Sequence, residues 1–245
     1  MIVSLQMYDW PELEAANIEF WTLIRDKLSQ KNVVGPMGLT HYPDESDAWL
    51  RDDLLLSQAC GMPYRSYLHE QVTLVGTPNY GVTGCPPGYY RSAFVVRKND
   101  SRSDLADFAD AMFVYNNRQS QSGYAAAYFH VAVSDFWFSR ELESGGHKES
   151  AAMVATGSAD IAALDAISWR HVQAYESFSD QLRVIEWTMP TPGLPYIASK
   201  RVDRRDLFNA IDLAIRALST KTKDELGLKG LEYIPASDYL ALPSI

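Results

Sequence analysis

Short apolar runs alternate with helical patterns along the whole chain, and this alternation most constrains the fold. Most of the runs are continuous, which is typical of strands buried on both faces of a parallel sheet. Helical patterns cover 16–28, after Asp9 and Glu12 in capping-box positions, and 207–218. The alternation predicts an α/β fold. The apolar runs are VSLQM, DLLLS, VTLVGT, AFVVR, MFVYN, DIAALD, LRVIEW and LPYIAS.

Composition narrows the class of partner. The 245 residues suffice for one large domain or two small ones, and the apolar and charged fractions, 47% and 22%, are typical of a globular protein. A net charge of −9, with no basic tract, excludes a nucleic-acid partner and an anionic membrane surface. No run approaches the about 20 apolar residues of a membrane span, which excludes membrane insertion. A small anion stays possible, because local N–H groups can bind one.

The N-terminal stretch MIVSLQMYDWPELEA lacks the basic start and apolar core of a signal peptide. The chain as given is therefore expected to be cytoplasmic, or periplasmic if an export signal has been removed. The two cysteines, Cys60 and Cys85, are either paired or free, and the missing signal favours free thiols. No Cys/His spacing resembles a zinc site, and nothing in the sequence requires a metal or an organic cofactor.

Two stretches are predicted to be extended segments that cross from one lobe to the other. In GCPPGYYRSAFVVRKND a Pro/Gly loop enters a long extended run, and in WTMPTPGLPYIAS three prolines hold the backbone extended. Two such crossings predict one lobe made of 1–93 plus 190–245 and a second lobe of 94–189. A ligand is then expected in the cleft between lobes, at the carboxyl ends of strands.

The stretch NNRQSQSGYAAAYF joins an apolar strand to an alanine-rich helix. The strand is predicted to end near 116–117 and the helix to begin within Ser120, Gln121 and Ser122. Small hydroxyl residues at such a junction either cap the helix or leave its first N–H groups open to an anion. Both interpretations stay open at this point.

Two further junctions have the same form. In ESGGHKES, His147 lies on a glycine loop before a helix, where it is either an oxyanion donor or a solvent-facing loop residue. Asp165 ends the run DIAALD, where it either contacts a ligand or caps the next helix.

The other lobe offers polar residues at the positions that are predicted to face the cleft. Tyr8 is placed at the end of the first strand, Ser57 and Gln58 after LLL, and Thr77 after TLVG. The second crossing contributes Thr191 to the residues that are predicted to face the cleft.

Taken in order, these stretches resemble a known family. NNRQSQSGY, GGHKES, VATGSADIAALDAISW and TPGLPY, together with LLLSQACGMPY and GCPPGYYRSAFVVR, are similar to the solute-binding proteins of phosphate/phosphonate-type ABC transporters, and within them to a signal-less branch. The resemblance covers about Met7 to Ser199. It implies a type 2 periplasmic-binding-protein fold, with two α/β lobes, two extended crossovers and a closing cleft.

The resemblance also implies residue roles. In the family, the serine-rich helix start and the glycine-loop histidine hold an oxyanion, a strand-end aspartate contacts the other end of the ligand, and a first-strand tyrosine lines the pocket. Phosphonate binders usually carry a hydroxyl residue where this chain has Gln121, so the ligand is expected to be phosphate, a phosphonate or a similar small anion or zwitterion. The matching residues are Ser120, Gln121, Ser122, His147, Asp165 and Tyr8.

Three functions follow from these observations. The first is a solute-binding protein that clamps an oxyanion for an ABC transporter permease, and the second is a cytoplasmic sensor that uses the same site. The third is a small-metabolite enzyme, such as a lyase or a biosynthetic enzyme, with Ser122, His147 and Asp165 as nucleophile, base and orienter or with Cys60 as a thiolate. Alanine at Ser122 separates them, because a binding protein loses affinity and an enzyme loses turnover.

Overall fold

The computed structural model describes residues 1–243, and these form two compact units. Unit 1 contains residues 1–89 and 192–243, and unit 2 contains residues 90–191. The predicted lobes, 1–93 plus 190–245 and 94–189, stay a prediction about which parts fold as domains. Residues 244–245 of the first predicted lobe lie outside the described residues.

The elements alternate between strands and helices along the chain. Short 3₁₀ turns occur at Pro11–Leu13, Glu45–Ala48, Leu105–Phe108 and Ser179–Gln181, and π-helical turns occur at Tyr64–Leu68 and Gln121–Ala125. The helices are α1 (Glu14–Ser29), α2 (Gly61–Pro63), α3 (Ala126–Ala132), α4 (His147–Thr156), α5 (Ala166–Tyr175), α6 (Arg204–Ala217), α7 (Thr220–Leu226) and α8 (Ala236–Leu240). The strands are β1 (Ile2–Ser4), β2 (Leu54–Gln58), β3 (Val72–Asn79), β4 (Tyr89–Tyr90), β5 (Ser92–Arg97), β6 (Met112–Tyr115), β7 (Arg140–Glu143), β8 (Ile161–Asp165), β9 (Leu182–Trp187), β10 (Thr191–Pro192), β11 (Tyr196–Ser199) and β12 (Gly230–Glu232).

Each unit contains a five-stranded mixed sheet. The order in unit 1 is β1-β2-β11-β3-β12, with β1 parallel to β2 and with β11 antiparallel to both of its neighbours. The order in unit 2 is β7-β6-β8-β5-β9, with β6 parallel to β7 and β8 and with β5 antiparallel to β8 and β9. A separate two-stranded sheet pairs β10 with β4. The predicted α/β fold is confirmed.

The expectation of parallel sheets was wrong for two of the most apolar strands. The β5 and β11 strands are buried along most or all of their length, yet both pair antiparallel with each neighbour. Their continuous apolar character comes from their interior positions in the sheets, where both faces are covered. Burial on two faces produces this pattern whatever the strand direction.

Three local predictions near strand and helix ends were also wrong. Asp9 and Glu12 do not form a capping box, because a 3₁₀ turn precedes α1, whose N-cap is Leu13; Asp9 instead accepts a hydrogen bond from Asn17. Tyr8 does not end the first strand, since β1 ends at Ser4 and Tyr8 lies in the following turn. Thr77 lies inside β3 rather than after it.

Two apolar cores stabilise the units. In unit 2 the core is aromatic, and the rings of Phe113 and Phe138 stack with centroids 4.5 Å apart. In unit 1, Tyr64 and Tyr239 pack edge to face at 5.0 Å, with Trp49 and Ile197 in the same cluster. No helix within residues 1–243 combines the length and the apolar character that crossing a membrane needs.

His171, on α5, makes the stability of unit 2 sensitive to acid. It is 2% exposed, and burial, assisted by the charge of Arg170, lowers its pKa from 6.5 to about 4. The unfolded chain takes up a proton below pH 6.5, whereas the folded chain does not until about pH 4, so stability is lost as the pH falls through this window. We expect His171 to account for a loss of about 2 kcal/mol between pH 7 and pH 5.

Urea unfolding at pH 7 and pH 5 measures this loss. In the His171→Gln variant, which carries no titrating ring, the difference in unfolding free energy between the two pH values should be smaller than in the wild type by about 2 kcal/mol. Equal pH dependence in both proteins would show that His171 is not responsible.

Candidate functional site

The serine-rich junction starts a helix, as predicted. β6 ends at Tyr115, and the helical segment begins at Gln121 as a π-helical turn that continues into α3. Ser120 is the N-cap, with extended backbone, and its Oγ accepts a hydrogen bond from the N–H of Gly123 at 2.9 Å. The other amides of the first turn have no carbonyl partner within the helix, as at any helix N-terminus. Ser120 therefore caps the helix.

Ser122 connects this turn to two other segments. Its Oγ lies 3.5 Å from Oγ of Ser120 and 3.0 Å from Nε2 of His147. Its carbonyl accepts a hydrogen bond from Oγ of Ser92 on β5 at 2.9 Å. Gln121, between the two serines, is 3% exposed. The start of the helix is thus held on its sheet side and faces His147.

His147 is the first residue of α4, directly after a glycine pair. Gly145 has a φ of +89°, which glycine adopts without strain, and the N-cap Gly146 is extended. The loop is tied to the end of β6, because the N–H of Gly145 donates to the carbonyl of Asn116 at 2.9 Å and the N–H of Ser144 donates to that of Tyr115 at 2.8 Å. These bonds place the N-terminus of α4 beside the serine turn.

The ring of His147 is mostly buried, with 13% of its side chain exposed. Burial lowers its pKa below 6.5, against the opposing effects of the Asp165 carboxylate, the Ala163 carbonyl and Glu149. Burial therefore favours the neutral ring near pH 7, in which one nitrogen donates and the other accepts. An anion placed beside the ring favours the charged form.

Asp165 has the capping role that its position left open, and its role as a ligand contact stays a prediction. It ends β8, is 2% exposed and caps α5, because Oδ1 accepts hydrogen bonds from the N–H groups of Ile167 and Ser168, each at 2.9 Å. Its other oxygen, Oδ2, lies 3.3 Å from Nε2 of His147. The carboxylate thus holds a helix and faces the histidine at the same time.

Asn116 and Gly123 lie beside His147 and were not predicted as site residues from the sequence. A Cβ on Gly123 would lie 2.0 Å from Oδ1 of Asn116 and 3.2 Å from Cε1 of His147. Glycine is therefore required for the close approach of the amide and the ring. The signal was available, since Asn116 directly follows the β6 strand.

Two of the predicted residues of unit 1 gather at Tyr80, which the sequence reasoning did not select. Nε2 of Gln58 lies 3.3 Å from the Tyr80 hydroxyl and donates to the carbonyl of Leu194 at 3.0 Å. The ring of Tyr8 meets that of Tyr80 edge to face at 5.4 Å. Ser57 is buried within β2, and its Oγ lies 3.5 Å from the carbonyl of Gln58.

The two predicted threonines have different environments. Thr77 is fully buried, and its Oγ1 lies 2.6 Å from the hydroxyl of Tyr239. The Tyr239 hydroxyl donates to the carbonyl of Gly193, so the Thr77 hydroxyl is the donor to Tyr239. Thr191 is half-buried at the start of β10. Their roles as ligand contacts, like those of Tyr8, Ser57 and Gln58, stay predictions.

The cysteines and the acidic and histidine side chains add no further centre. Cys60 and Cys85 are not joined by a disulfide, and Cys60 is the N-cap of α2. Between residues 1 and 243, no group of His, Cys, Asp and Glu side chains has an arrangement that could hold a metal ion.

The fold defines the class of protein. Type 2 periplasmic binding proteins are among the solved structures that share this mixed α/β fold. PhnD1 from Prochlorococcus marinus, solved with methylphosphonate, has a TM-score of 0.74 at 16% identity, over 98% of this chain and 94% of its own. A binding protein component of an ABC phosphonate transporter from Pseudomonas aeruginosa has a TM-score of 0.71 at 16% identity, over 98% of this chain and 82% of its own. The ligand-binding core of GluR0 from Nostoc punctiforme, in complex with glutamate, has a TM-score of 0.64 at 13% identity, over 92% and 98%.

The sequence defines the family within that class. Residues 46–239 match the family model of the phosphonate ABC transporter periplasmic substrate-binding protein. The chain belongs to this family, which confirms the resemblance and the type 2 periplasmic-binding-protein fold. Among proteins of curated function, none matches the sequence.

Proposed function

We propose that this chain is a solute-binding protein that holds a small oxyanion, such as phosphate or a phosphonate, at the helix start Ser120–Ser122 of unit 2. The observation that carries the proposal is the 3.0 Å approach of Ser122 Oγ to His147 Nε2, because it brings the N-termini of two helices to one point. Helix N-termini present N–H donors and a partial positive charge, and both favour an anion.

The donors at this point suit an oxyanion in particular. They are the hydroxyls of Ser120 and Ser122, the first-turn amides and the ring of His147. Such groups bind through short directed hydrogen bonds, which match the several oxygens of a phosphate or phosphonate head group. Gln121 adds an amide where phosphonate binders usually have a hydroxyl, so the head group is proposed as a class rather than as one compound.

Asp165 sets a second requirement on the ligand. At the N-terminus of α5, the Asp165 carboxylate already accepts hydrogen bonds from first-turn N–H groups. This helix start therefore presents a carboxylate to the ligand rather than N–H donors. A carboxylate next to an anion site repels a fully ionised ligand and accepts from an amine, a hydroxyl or a protonated oxygen. The proposed ligand is therefore a partly protonated oxyanion or a zwitterion.

Family membership supports a role in transport. PhnD1, which shares the fold, was solved with methylphosphonate, and we propose a ligand of the same chemical class here, delivered to an ABC transporter permease. A cytoplasmic sensor would use the same binding chemistry without a permease.

The enzyme alternative is not favoured by the geometry. In a nucleophile–base–orienter set, the acid binds the ring nitrogen that faces away from the nucleophile. Here Ser122 Oγ and Asp165 Oδ2 both approach Nε2 of His147, at 3.0 and 3.3 Å. The ring thus meets a hydroxyl and a carboxylate at one nitrogen, which supports binding over proton relay.

A thermal-shift screen tests the proposal. The panel contains phosphate, methylphosphonate, 2-aminoethylphosphonate, sulfate and acetate. A ligand at about 100 times its dissociation constant adds about 2.7 kcal/mol of stability, and for a chain of this size the melting temperature should rise by about 5–10 °C.

The control is the same panel with the Ser122→Ala variant, in which the shift for the best phosphorus oxyanion should shrink. A flat panel with the wild type, or equal shifts from every anion, would contradict the proposal.

A further inference from the structure

Two buried polar atoms of the site have no hydrogen-bond partner. Within residues 1–243, Oδ1 of Asn116 and Nδ1 of His147 are both shielded from solvent and neither makes a hydrogen bond of good geometry. A buried unsatisfied polar atom is costly, and native structures contain few of them. Two such atoms in one small group call for a common explanation.

The two groups border the same small space. A Cβ placed on Gly123 would lie 2.0 Å from the Asn116 amide oxygen and 3.2 Å from Cε1, the ring carbon of His147 between its two nitrogens. The backbone also links them, because the Asn116 carbonyl accepts from Gly145, two residues before His147. The Asn116 amide oxygen and the His147 ring therefore both border the space around Gly123.

The other groups around the ring are acceptors. Asp165 on β8 and Glu149 on α4 carry negative charge, the carbonyl of Ala163 faces the ring, and Ser122 at the helix start offers its hydroxyl oxygen. These groups favour a ring that carries protons on both nitrogens, and burial alone opposes it. A bound oxyanion adds further negative charge and tips this balance towards the imidazolium.

We propose that Asn116 is a positioning residue for His147: its amide oxygen accepts the Nδ1–H of the ring when a bound oxyanion makes the ring an imidazolium, so that Nε2–H is held towards the ligand. The inference rests on the proposed function. It pairs Oδ1 of Asn116 with Nδ1 of His147, the two buried atoms that otherwise have no hydrogen-bond partner. It also requires His147 to take up a proton when the anion binds.

The test measures methylphosphonate affinity calorimetrically from pH 6 to pH 9 in the wild type, Asn116→Leu and Asn116→Asp. Leucine removes the acceptor at similar volume, and aspartate keeps it. At pH 9, where the ring stays neutral, the leucine variant should bind as tightly as the wild type. At pH 6 it should bind about tenfold more weakly, the effect of one lost hydrogen bond to a charged group. The aspartate variant should keep the gain in affinity towards low pH.

Asn117→Leu is the matched control, since the Asn117 side chain is exposed on the same loop, and it should follow the wild type at every pH. A constant affinity ratio between Asn116→Leu and the wild type from pH 6 to pH 9 would overturn the inference, because a merely structural role weakens binding at all pH values. Protonation of the ligand itself is common to all variants and cancels in the ratio.

A measurement on the wild type keeps the inference testable if the leucine variant does not fold. In the methylphosphonate complex at pH 6, ¹⁵N shifts of the His147 ring should show both nitrogens protonated. One unprotonated nitrogen would overturn the inference and leave the proposed function standing. Failure of the wild type to bind any phosphorus oxyanion would reject the proposed function, and the inference with it.

Discussion

Replacing Ser122 by alanine and His147 by glutamine in the same chain is expected to weaken the binding of a phosphorus oxyanion by about 100-fold or more. Each side chain contributes a hydrogen bond to a charged ligand, worth about 1.5–3 kcal/mol, and tenfold in affinity corresponds to about 1.4 kcal/mol. The two side chains also contact each other at 3.0 Å, so the double variant is more informative than the sum of the single ones. Calorimetric titration of each variant with methylphosphonate measures the loss.

The matched control replaces a serine and a histidine elsewhere in unit 2. Ser158 is exposed in the loop after α4, and His130 pairs with Glu186 at 2.7 Å. Ser158→Ala with His130→Gln should bind as tightly as the wild type. If the Ser122/His147 double variant retains wild-type affinity while remaining folded, the ligand does not bind at this helix start.

Replacing Gly193 by alanine is expected to destabilise unit 1 by about 3 kcal/mol. The new Cβ would lie 2.6 Å from the carbonyl oxygen of Gly88, a backbone atom that cannot move aside as a side chain would. The same carbonyl accepts the N–H of Gly193 at 2.9 Å, and the Gly193 carbonyl accepts from Tyr239. The strain therefore falls on the bonds that hold this segment to its neighbours. The melting temperature should fall by about 6–12 °C.

Gly38→Ala is the control for this prediction. A Cβ added at Gly38 would have no atom within 4 Å, and Gly38 is exposed. Its melting temperature should stay the same or rise slightly, because alanine reduces the freedom of the unfolded chain. An unchanged melting temperature for Gly193→Ala would mean that the backbone at Gly88 yields without cost.

The candidate site residues in unit 2 could be predicted from the sequence because of their positions along the chain. Ser120, His147 and Asp165 each occupy a junction between a strand or loop and a helix, and such junctions meet at one edge of an α/β sheet. The structure brings them together with Ser122 through two short contacts at His147. Their role in holding a ligand stays a prediction, for which the experiments above provide the tests.

The features that could not be predicted from the sequence depend on tertiary contacts. Apolar continuity reports burial and not strand direction, so the antiparallel β5 and β11 strands were indistinguishable from parallel ones. The Thr77 hydroxyl bonds Tyr239, 162 positions further along, and no local pattern reveals that partner. Asn116 has an ordinary strand-end position, and only its approach to Gly123 shows that it belongs to the group.

A crystal structure of the wild type with methylphosphonate would locate the ligand site. We expect the phosphonate oxygens to lie within hydrogen-bonding distance of Ser120 or Ser122 and of the first-turn amides, with Nε2 of His147 donating to one of them. Methylphosphonate bound elsewhere, with this helix start making no contact to it, would show that the proposed oxyanion site is wrong.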